Sequence, residues 1–346
     1  MSLILNIMRI AVIGCGGIGG VVAGILGSQE SDVLCVDINK DTVKRINDRG
    51  IRLYGKKGNI NTSVRAVSSI GDEEGEFDVI VITVKSMVLR DVFELNKDHL
   101  SNDGLILTLQ NGIEILDIVK DFPDVKTVAG AVGYNSQIDE KGEYIVTAQG
   151  GITIGNLTTG SDEDLLRLKN IFDPGILIDI NRNITGVLWS KLLIVCGVTG
   201  LGGCSGLRLG ELLGHREARQ LFYRVVTEGA SVSKKLGIQL EKFGRAINPE
   251  KFGDHKGGYP IFARYLLLKL IGITRQNIKA GIILDIERGN RTEVDFINGA
   301  VVKAGMALGI DTTVNREIVR VVKEIEQGNR RMTKGNLLEI MELNKR

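Results

Sequence analysis

Four cysteines in 346 residues, none of them in a C-x-x-C pair, are too few for a disulfide framework. Cys15, Cys35, Cys196 and Cys204 all lie in apolar contexts and read as reduced core thiols of a cytoplasmic protein. Charge of one sign is missing too: 44 Lys and Arg against 42 Asp and Glu leave +2, which gives no nucleic acid or anionic membrane a reason to bind. The longest uncharged run, Leu192 to Leu207, is short of a membrane span and contains five glycines, so no transmembrane segment is expected. Met1 to Met8 is apolar but lacks a basic leader and a small-residue cleavage site, which argues against a secretory signal. No internal repeat, low-complexity tract or metal-binding cluster stands out.

What is present is ordinary in bulk, with 43% hydrophobic and 25% charged residues. The length exceeds what one hydrophobic core usually serves, so two domains are expected. The informative stretch is Arg9 to Gly20, R-I-A-V-I-G-C-G-G-I-G-G. Ile10 to Ile13 predicts a central parallel strand, and Gly14, Gly16 and Gly19 fall on the G-x-G-x-x-G spacing before an apolar helix from Val21 to Leu26. In a dinucleotide-binding turn the three glycines serve a tight turn, backbone approach to a pyrophosphate, and close helix–strand packing. The helix start then offers free N–H groups to phosphate oxygens.

Val33 to Asp37 predicts the second strand, ending in an acid at the distance where such folds place a carboxylate on the adenosine ribose. Asp37 favours NAD over NADP, although Lys40, Lys44 and Arg45 lie nearby. Val64 to Val67, Val79 to Val84 and Leu105 to Leu109 predict further strands, the second of them apolar enough for burial on both faces. Two of these end in polar groups, Lys85 and Gln110-Asn111-Gly112, at the carboxyl ends where open α/β sheets bind ligands. Thr127 to Gly155 reads as antiparallel strands extending the parallel sheet, Ser161 to Phe172 as an N-capped helix, and Leu177 to Ile180 as a last short strand.

The expected architecture is α/β: an N-terminal Rossmann-type dinucleotide-binding domain over 1–183, then an all-α domain over 184–346. In the second part, Thr185 to Thr199 predicts a helix whose apolar stripe (Leu188, Leu192, Val195, Thr199) includes Lys191. A lysine there is either a snorkelling edge residue or one held in a cleft with a pKa tuned by desolvation. Arg219 to Leu236 and Asn277 to Arg288 predict helices, with Gly289 as a stop, and Ile261 to Ile271 a core helix compatible with dimerisation. Gln239 to Tyr259 has no clear assignment. A further helix is expected from Thr292 or Glu293, headed by that acid, and a charged amphipathic tail helix from Ile318.

Five motifs in this order resemble the ketopantoate reductase (2-dehydropantoate 2-reductase) family over most of the chain. They are I-A-V-I-G-C-G-G-I-G-G, T-V-K ending in Lys85, L-Q-N-G containing Asn111, N-I-T-G-V-L-W-S-K-L around Lys191, and R-T-E-V-D-F-I-N-G from Arg291 to Gly299. The resemblance implies reduction of a small 2-keto acid to a 2-hydroxy acid with a nicotinamide cofactor, more often NADPH. It implies dinucleotide contacts from Gly14, Cys15, Gly16, Gly17, Ile18, Gly19, Lys85 and Asn111. It makes Lys191 the general acid, with Glu293 hydrogen-bonding near that lysine and the ligand.

The chain departs from the family where substrate is held. Val195 and Thr199, one and two turns after the lysine, replace asparagines; Leu209 replaces another, and Gly281 replaces a serine. A different, more apolar 2-keto acid is therefore expected, with Arg208, Ser205 or Arg264 as alternatives for its carboxylate. Two other functions compete. A sugar-phosphate or polyol dehydrogenase would call for a basic cluster, and Lys191 is too isolated to belong to one. A nucleotide sensor without chemistry would have no use for both Lys191 and Glu293.

Overall fold

A computed structural model describes residues 8–173, 175–243, 247–253 and 258–343. The chain divides into two compact units, one formed by 1–110 with 114–184, the other by 111–113 with 185–346.

Among the described residues the first unit carries twelve strands: β1 Arg9–Ile13, β2 Asp32–Val36, β3 Ile51–Gly55, β4 Ile60–Thr62, β5 Arg65–Val67, β6 Phe77–Ile82, β7 Leu100–Thr108, β8 Thr127–Val132, β9 Asn135–Ile138, β10 Tyr144–Ala148, β11 Ile152–Asn156 and β12 Ile178–Ile180. Its helices are α1 Gly17–Ser28, α2 Lys40–Arg49, α3 Leu89–Asn96, α4 Ile115–Asp121 and α5 Asp162–Phe172. Eight strands form one sheet in the order β12-β11-β8-β7-β6-β1-β2-β5, parallel throughout except between β8 and β11. The central strands β1 and β6 are uncharged and apolar from Ile10 to Ile13 and from Val79 to Ile82, mostly β-branched, as burial on both faces requires. The strand order reverses between β1 and β6, so the ligand crevice of such a sheet falls at their carboxyl ends.

The Thr127 to Gly155 expectation needs correcting. β8 is a parallel strand of the main sheet, while β9 and β10 leave it and join β3 and β4 in a second sheet, ordered β4-β3-β10-β9. The chain departs at Gly133 and returns at Gly150 and Gly151, where Gly133 N–H donates to Gly151 O at 2.8 Å. A Cβ on Gly150 would sit 2.3 Å from the Gly133 backbone, too close for any side chain. β3 and β4 went unread in the sequence because each is short and alternates with polar residues.

α1 is rich in glycine, each costing about 1 kcal/mol relative to alanine, so tertiary packing must hold it. Val21, Val22, Ile25 and Leu26 are buried, each contributing about 1.5–3 kcal/mol. Gly20, Gly24 and Gly27 form a bare stripe on which the second sheet lies, against the Tyr144 ring, Ile51 and Thr62, with Val64 just beyond β4. α5 begins at Ser161 with a full capping box to Asp164, as expected.

The second unit is helical: α6 Ile184–Val195, α7 Leu201–Ser205, α8 Leu209–Gly214, α9 Arg216–Lys235, α10 Pro249–Gly253, α11 Ile261–Thr274, α12 Gly281–Glu287, α13 Asn298–Leu308, α14 Thr313–Glu326 and α15 Gly335–Leu343. A π-helical stretch, Cys196–Gly200, joins α6 to α7. The resulting continuous helix, Ile184–Ser205, is long and apolar enough by composition to cross a bilayer, unlike the shorter run read from sequence. It is 72% buried inside the protein, as a core helix is. Part of the Gln239 to Tyr259 segment forms α10, while residues 244–246 and 254–257, like 1–7 of the N-terminal stretch, lie outside the described residues.

Three helical expectations change. α11 is not a core helix: Arg264, Leu268 and Gly272 face inward, while Ile261, Phe262, Leu266, Leu270 and Ile273 are exposed. Its inner stripe is narrow because Gly272 meets α8 close to Gly210, leaving room for few large side chains. No helix starts at Thr292 or Glu293, because the Gly299 N–H reaches back five residues to Val294 O and α13 begins only at Asn298. Finally, the amphipathic helix expected from Ile318 starts earlier: α14 begins at Thr313 and buries Val314, Ile318, Val321, Val322 and Ile325 on one stripe.

Candidate functional site

The glycine turn follows β1 at the switch point. Gly14 has φ +88°, a conformation side chains avoid, and its N–H donates to Val36 O at 2.8 Å. A Cβ on Gly19 would lie 1.9 Å from Gly14 O and 2.4 Å from Thr83 Oγ1. Nothing lies within 4 Å of where a Gly16 Cβ would be, so the turn has an open side. Gly16 caps α1 without a side chain, and the first N–H groups of α1, at Gly17, Ile18 and Gly19, have no acceptor one turn back in the helix. Bare backbone, an open face and a helix start together fit the diphosphate of a dinucleotide.

Side chains from three other elements hold this turn. Thr83, just beyond β6, donates to Gly14 O at 2.5 Å; Tyr144 on β10 donates to Cys15 O at 2.9 Å; Ser136 on β9 donates to Gly17 O at 2.7 Å. Sequence reading missed all three, having seen Thr83 and Tyr144 only as strand residues. Cys15 itself is buried and points its thiol inward, with the neighbouring Cys35 thiol and then burial pushing its pKa up.

Asp37 follows β2 directly. Its Oδ2 accepts the Cys15 N–H at 2.8 Å and its Oδ1 accepts the Asn39 N–H at 2.9 Å. Each oxygen keeps a second lone pair for ribose hydroxyls. Lys85 is half-buried and precedes a short 3-10 turn, Ser86–Val88, three residues past the end of β6. Asn111 is exposed beyond β7, next to Gln110, whose side-chain amide donates to Ile82 O at 2.9 Å. The first unit thus gathers Gly14 to Gly19, Asp37 and Lys85 past the carboxyl ends of β1, β2 and β6, whereas Asn111 groups with the second unit.

Lys191 lies in the second unit on α6, which is apolar on nearly every face, and is only 5% exposed. Burial lowers its pKa from 10.5 to about 8, and the charge of Glu293 partly offsets the drop. Lys191 is therefore no snorkelling edge residue. Glu293 sits on the turn between α12 and α13 and accepts the Phe296 and Ile297 N–H groups at its carbonyl, at 2.9 and 3.0 Å. That turn is tied to α14, since Glu326 Oε1 accepts the Thr292 N–H at 2.7 Å and Lys323 pairs with Asp295. The tie through Glu326 is another feature the sequence did not reveal, as it joins residues 34 apart.

Val195, Thr199, Leu209 and Gly281 offer little to a polar substrate. Val195 has no donor, and Thr199 spends its hydroxyl on Val195 O at 2.7 Å. Leu209 is buried and Gly281 has no side chain. Of the carboxylate candidates, Ser205 donates to Leu201 O at 2.8 Å and Arg264 stacks over the Tyr223 ring at 4.8 Å, leaving Arg208 exposed. No group of three metal-ligating side chains occurs among the described residues.

Residues 10–159 match the family described as "Ketopantoate reductase PanE/ApbA", and residues 183–326 its C-terminal counterpart. A 2-dehydropantoate 2-reductase of Pyrococcus horikoshii is 26% identical over 92% of this chain and 98% of its own. A ketopantoate reductase structure from Ralstonia eutropha superposes with a TM-score of 0.78 at 24% identity, covering 93% of this chain and 99% of the other. A D-mandelate dehydrogenase structure, with NADH and anilino(oxo)acetate, does so with a TM-score of 0.79 at 20% identity and the same coverage. The chain belongs to the ketopantoate reductase family, NAD(P)-dependent oxidoreductases acting on a CH–OH group.

Proposed function

We propose that the protein reduces a 2-keto acid more apolar than ketopantoate to the 2-hydroxy acid, with Lys191 as general acid. The observation that carries this reading is a lysine 5% exposed on an apolar helix, its pKa lowered to about 8 and acted on by the charge of Glu293. A bound nicotinamide supplies hydride to the carbonyl carbon. As negative charge builds on the carbonyl oxygen, the Lys191 ammonium stabilises it and hands over its proton. A pKa near the working pH suits both giving that proton and taking another. Glu293 keeps the ammonium charged and orients it.

In this reading the first domain spans 1–183 and the second 184–346, with Gly14, Cys15, Gly16, Gly17, Ile18, Gly19, Asp37, Lys85 and Asn111 serving the dinucleotide. Asp37 accepts ribose hydroxyls and repels a 2′-phosphate, so NADH is the preferred partner. The loss of donors at Val195, Thr199, Leu209 and Gly281 supports the apolar substrate, because a pocket without such donors cannot single out a hydroxylated keto acid. The superposable D-mandelate dehydrogenase, whose structure contains anilino(oxo)acetate, is an example of this fold receiving a carboxylate with an aromatic substituent. We place the enzyme in the cytoplasm, where its four buried free thiols stay reduced, with no nucleic acid or membrane partner. A homodimer formed through the exposed apolar face of α11 belongs to the same proposal.

The test measures NADH and NADPH oxidation against ketopantoate and a panel of aliphatic and aryl 2-keto acids. Turnover of an apolar member well above ketopantoate, abolished in Lys191→Ala, is the expected result. Efficient ketopantoate turnover would overturn the divergent substrate.

A further inference from the structure

The main-chain carbonyls of a phosphate-binding turn matter as much as its N–H groups. Within one trans peptide the C=O and the following N–H point in opposite directions, so anchoring one aims the other. The carbonyl of Cys15 shares its peptide with the Gly16 N–H, and the carbonyl of Gly17 with the Ile18 N–H. Both N–H groups belong to the start of α1, where the helix itself offers no acceptor. Turning the Cys15–Gly16 peptide over, or tilting the Gly17–Ile18 peptide, whose carbonyl already lies within the first turn of α1, would misdirect a donor meant for an incoming diphosphate and bring a carbonyl oxygen toward its negative charge.

Each carbonyl is anchored from the second sheet. Tyr144 Oη donates to Cys15 O at 2.9 Å, and Ser136 Oγ donates to Gly17 O at 2.7 Å. The third peptide, Gly14–Cys15, is already committed on both sides, with Thr83 on its carbonyl and Asp37 on its N–H. Tyr144 is 1% exposed and can reach the turn only because residue 20 lacks a Cβ, which would lie 1.9 Å from its ring. Burial pushes the phenol above its ordinary pKa, so it remains a donor throughout the working range. Ser136 reaches its carbonyl because β9 runs close to the glycine backbone, with Ser136 O 3.1 Å from where a Gly17 Cβ would be.

We propose that Tyr144 and Ser136 are positioning residues for the dinucleotide: their hydroxyls lock two peptides of the glycine turn so that the Gly16 and Ile18 N–H groups face the diphosphate. The second sheet, which contributes no residue to the expected cofactor contacts, then has a function as the brace of the turn. This rests on the chain's use of a nicotinamide dinucleotide.

The experiment titrates purified wild type, Tyr144→Phe, Ser136→Ala and the double variant with NADH by fluorescence, then with ADP-ribose and adenosine as competitors. Losing one aligned hydrogen bond should raise the dissociation constants for NADH and ADP-ribose about three- to tenfold per variant. Adenosine, which lacks the diphosphate, should bind all four proteins alike, a distinction that a merely loosened fold would not make. Unchanged NADH and ADP-ribose binding in Ser136→Ala and Tyr144→Phe would overturn the proposal, as would an equal loss for adenosine. Should Tyr144→Phe melt early, Ser136→Ala decides alone, since its hydroxyl is half-buried and touches the turn independently. If wild type binds neither NADH nor NADPH, the nicotinamide reading itself fails and takes this inference with it.

Discussion

The burial that lowers the Lys191 pKa should cost the protein stability. The ammonium is buried on an apolar helix, and its pKa falls from 10.5 to about 8. The folded state therefore holds this proton less tightly than the unfolded chain does. Its cost is fully present below pH 8 and is relieved as pH rises toward 10.5, so this group alone makes stability rise with pH across that window. A tenfold loss of proton affinity on folding corresponds to about 1.4 kcal/mol, which puts the cost at pH 7 at about 3 kcal/mol. Lys191→Met keeps the volume and discards the charge. It should stabilise the protein by about 1–3 kcal/mol at pH 7, part of the gain being offset by leaving Glu293 without its partner. The same variant should lose about a hundredfold or more in the reductive direction, as removal of a general acid does. In wild type, kcat/KM for reduction should fall as pH rises through about 8, because the neutral amine has no proton to give. Thermal melts at pH 7 and 10, together with a pH–rate profile, check all three expectations. A Lys191→Met protein that melts below wild type at pH 7, or an activity limb above pH 10, would refute the desolvation argument.

Other tests reach the remaining parts. Glu293→Gln removes the charge that props up the lysine, so the alkaline limb of the rate profile should move to lower pH, read from the same profile. Asp37→Ser should lower the preference for NADH over NADPH about tenfold or more in kcat/KM ratios, by removing repulsion of the 2′-phosphate. Glu326→Ala should loosen the turn carrying Glu293 and lower kcat several-fold, while Glu326→Gln, whose amide oxygen still accepts the Thr292 N–H, should restore most of it in steady-state assays. Phe262→Asp with Leu266→Asp should convert a dimer to monomer by light scattering, since both residues are exposed on α11; a dimer that survives would remove this face from the interface.

Legibility in the sequence followed the range of the forces at work. The β1–turn–α1 unit could be read because its signal is local: a strand-length apolar run, three glycines at fixed spacing, then a helix. Lys191 stood out because a charge interrupting an apolar helical stripe is visible in one dimension. The fate of residues 127–155 was not readable, because a strand carries no mark of which sheet it joins. α11 misled for a related reason: its apolar residues cover more than one face, and composition alone does not say which face meets a neighbour. Glu293 was read as heading a helix, yet a five-residue backbone reach and a carboxylate 34 residues away shape its turn instead.

The sequence by itself determined the two-part plan, the glycine turn and the odd place of Lys191 in an apolar stripe, since each is written in spacing or polarity along the chain. Only the tertiary structure decided that Lys191 is buried enough to lose basicity, and that the glycine turn is braced by Tyr144 and Ser136. Desolvation and carbonyl anchoring depend on atoms brought from 119 and 129 residues away in the case of the turn. Local pattern selects elements; which groups lose water, and which peptides are prevented from turning over, follows from how those elements pack.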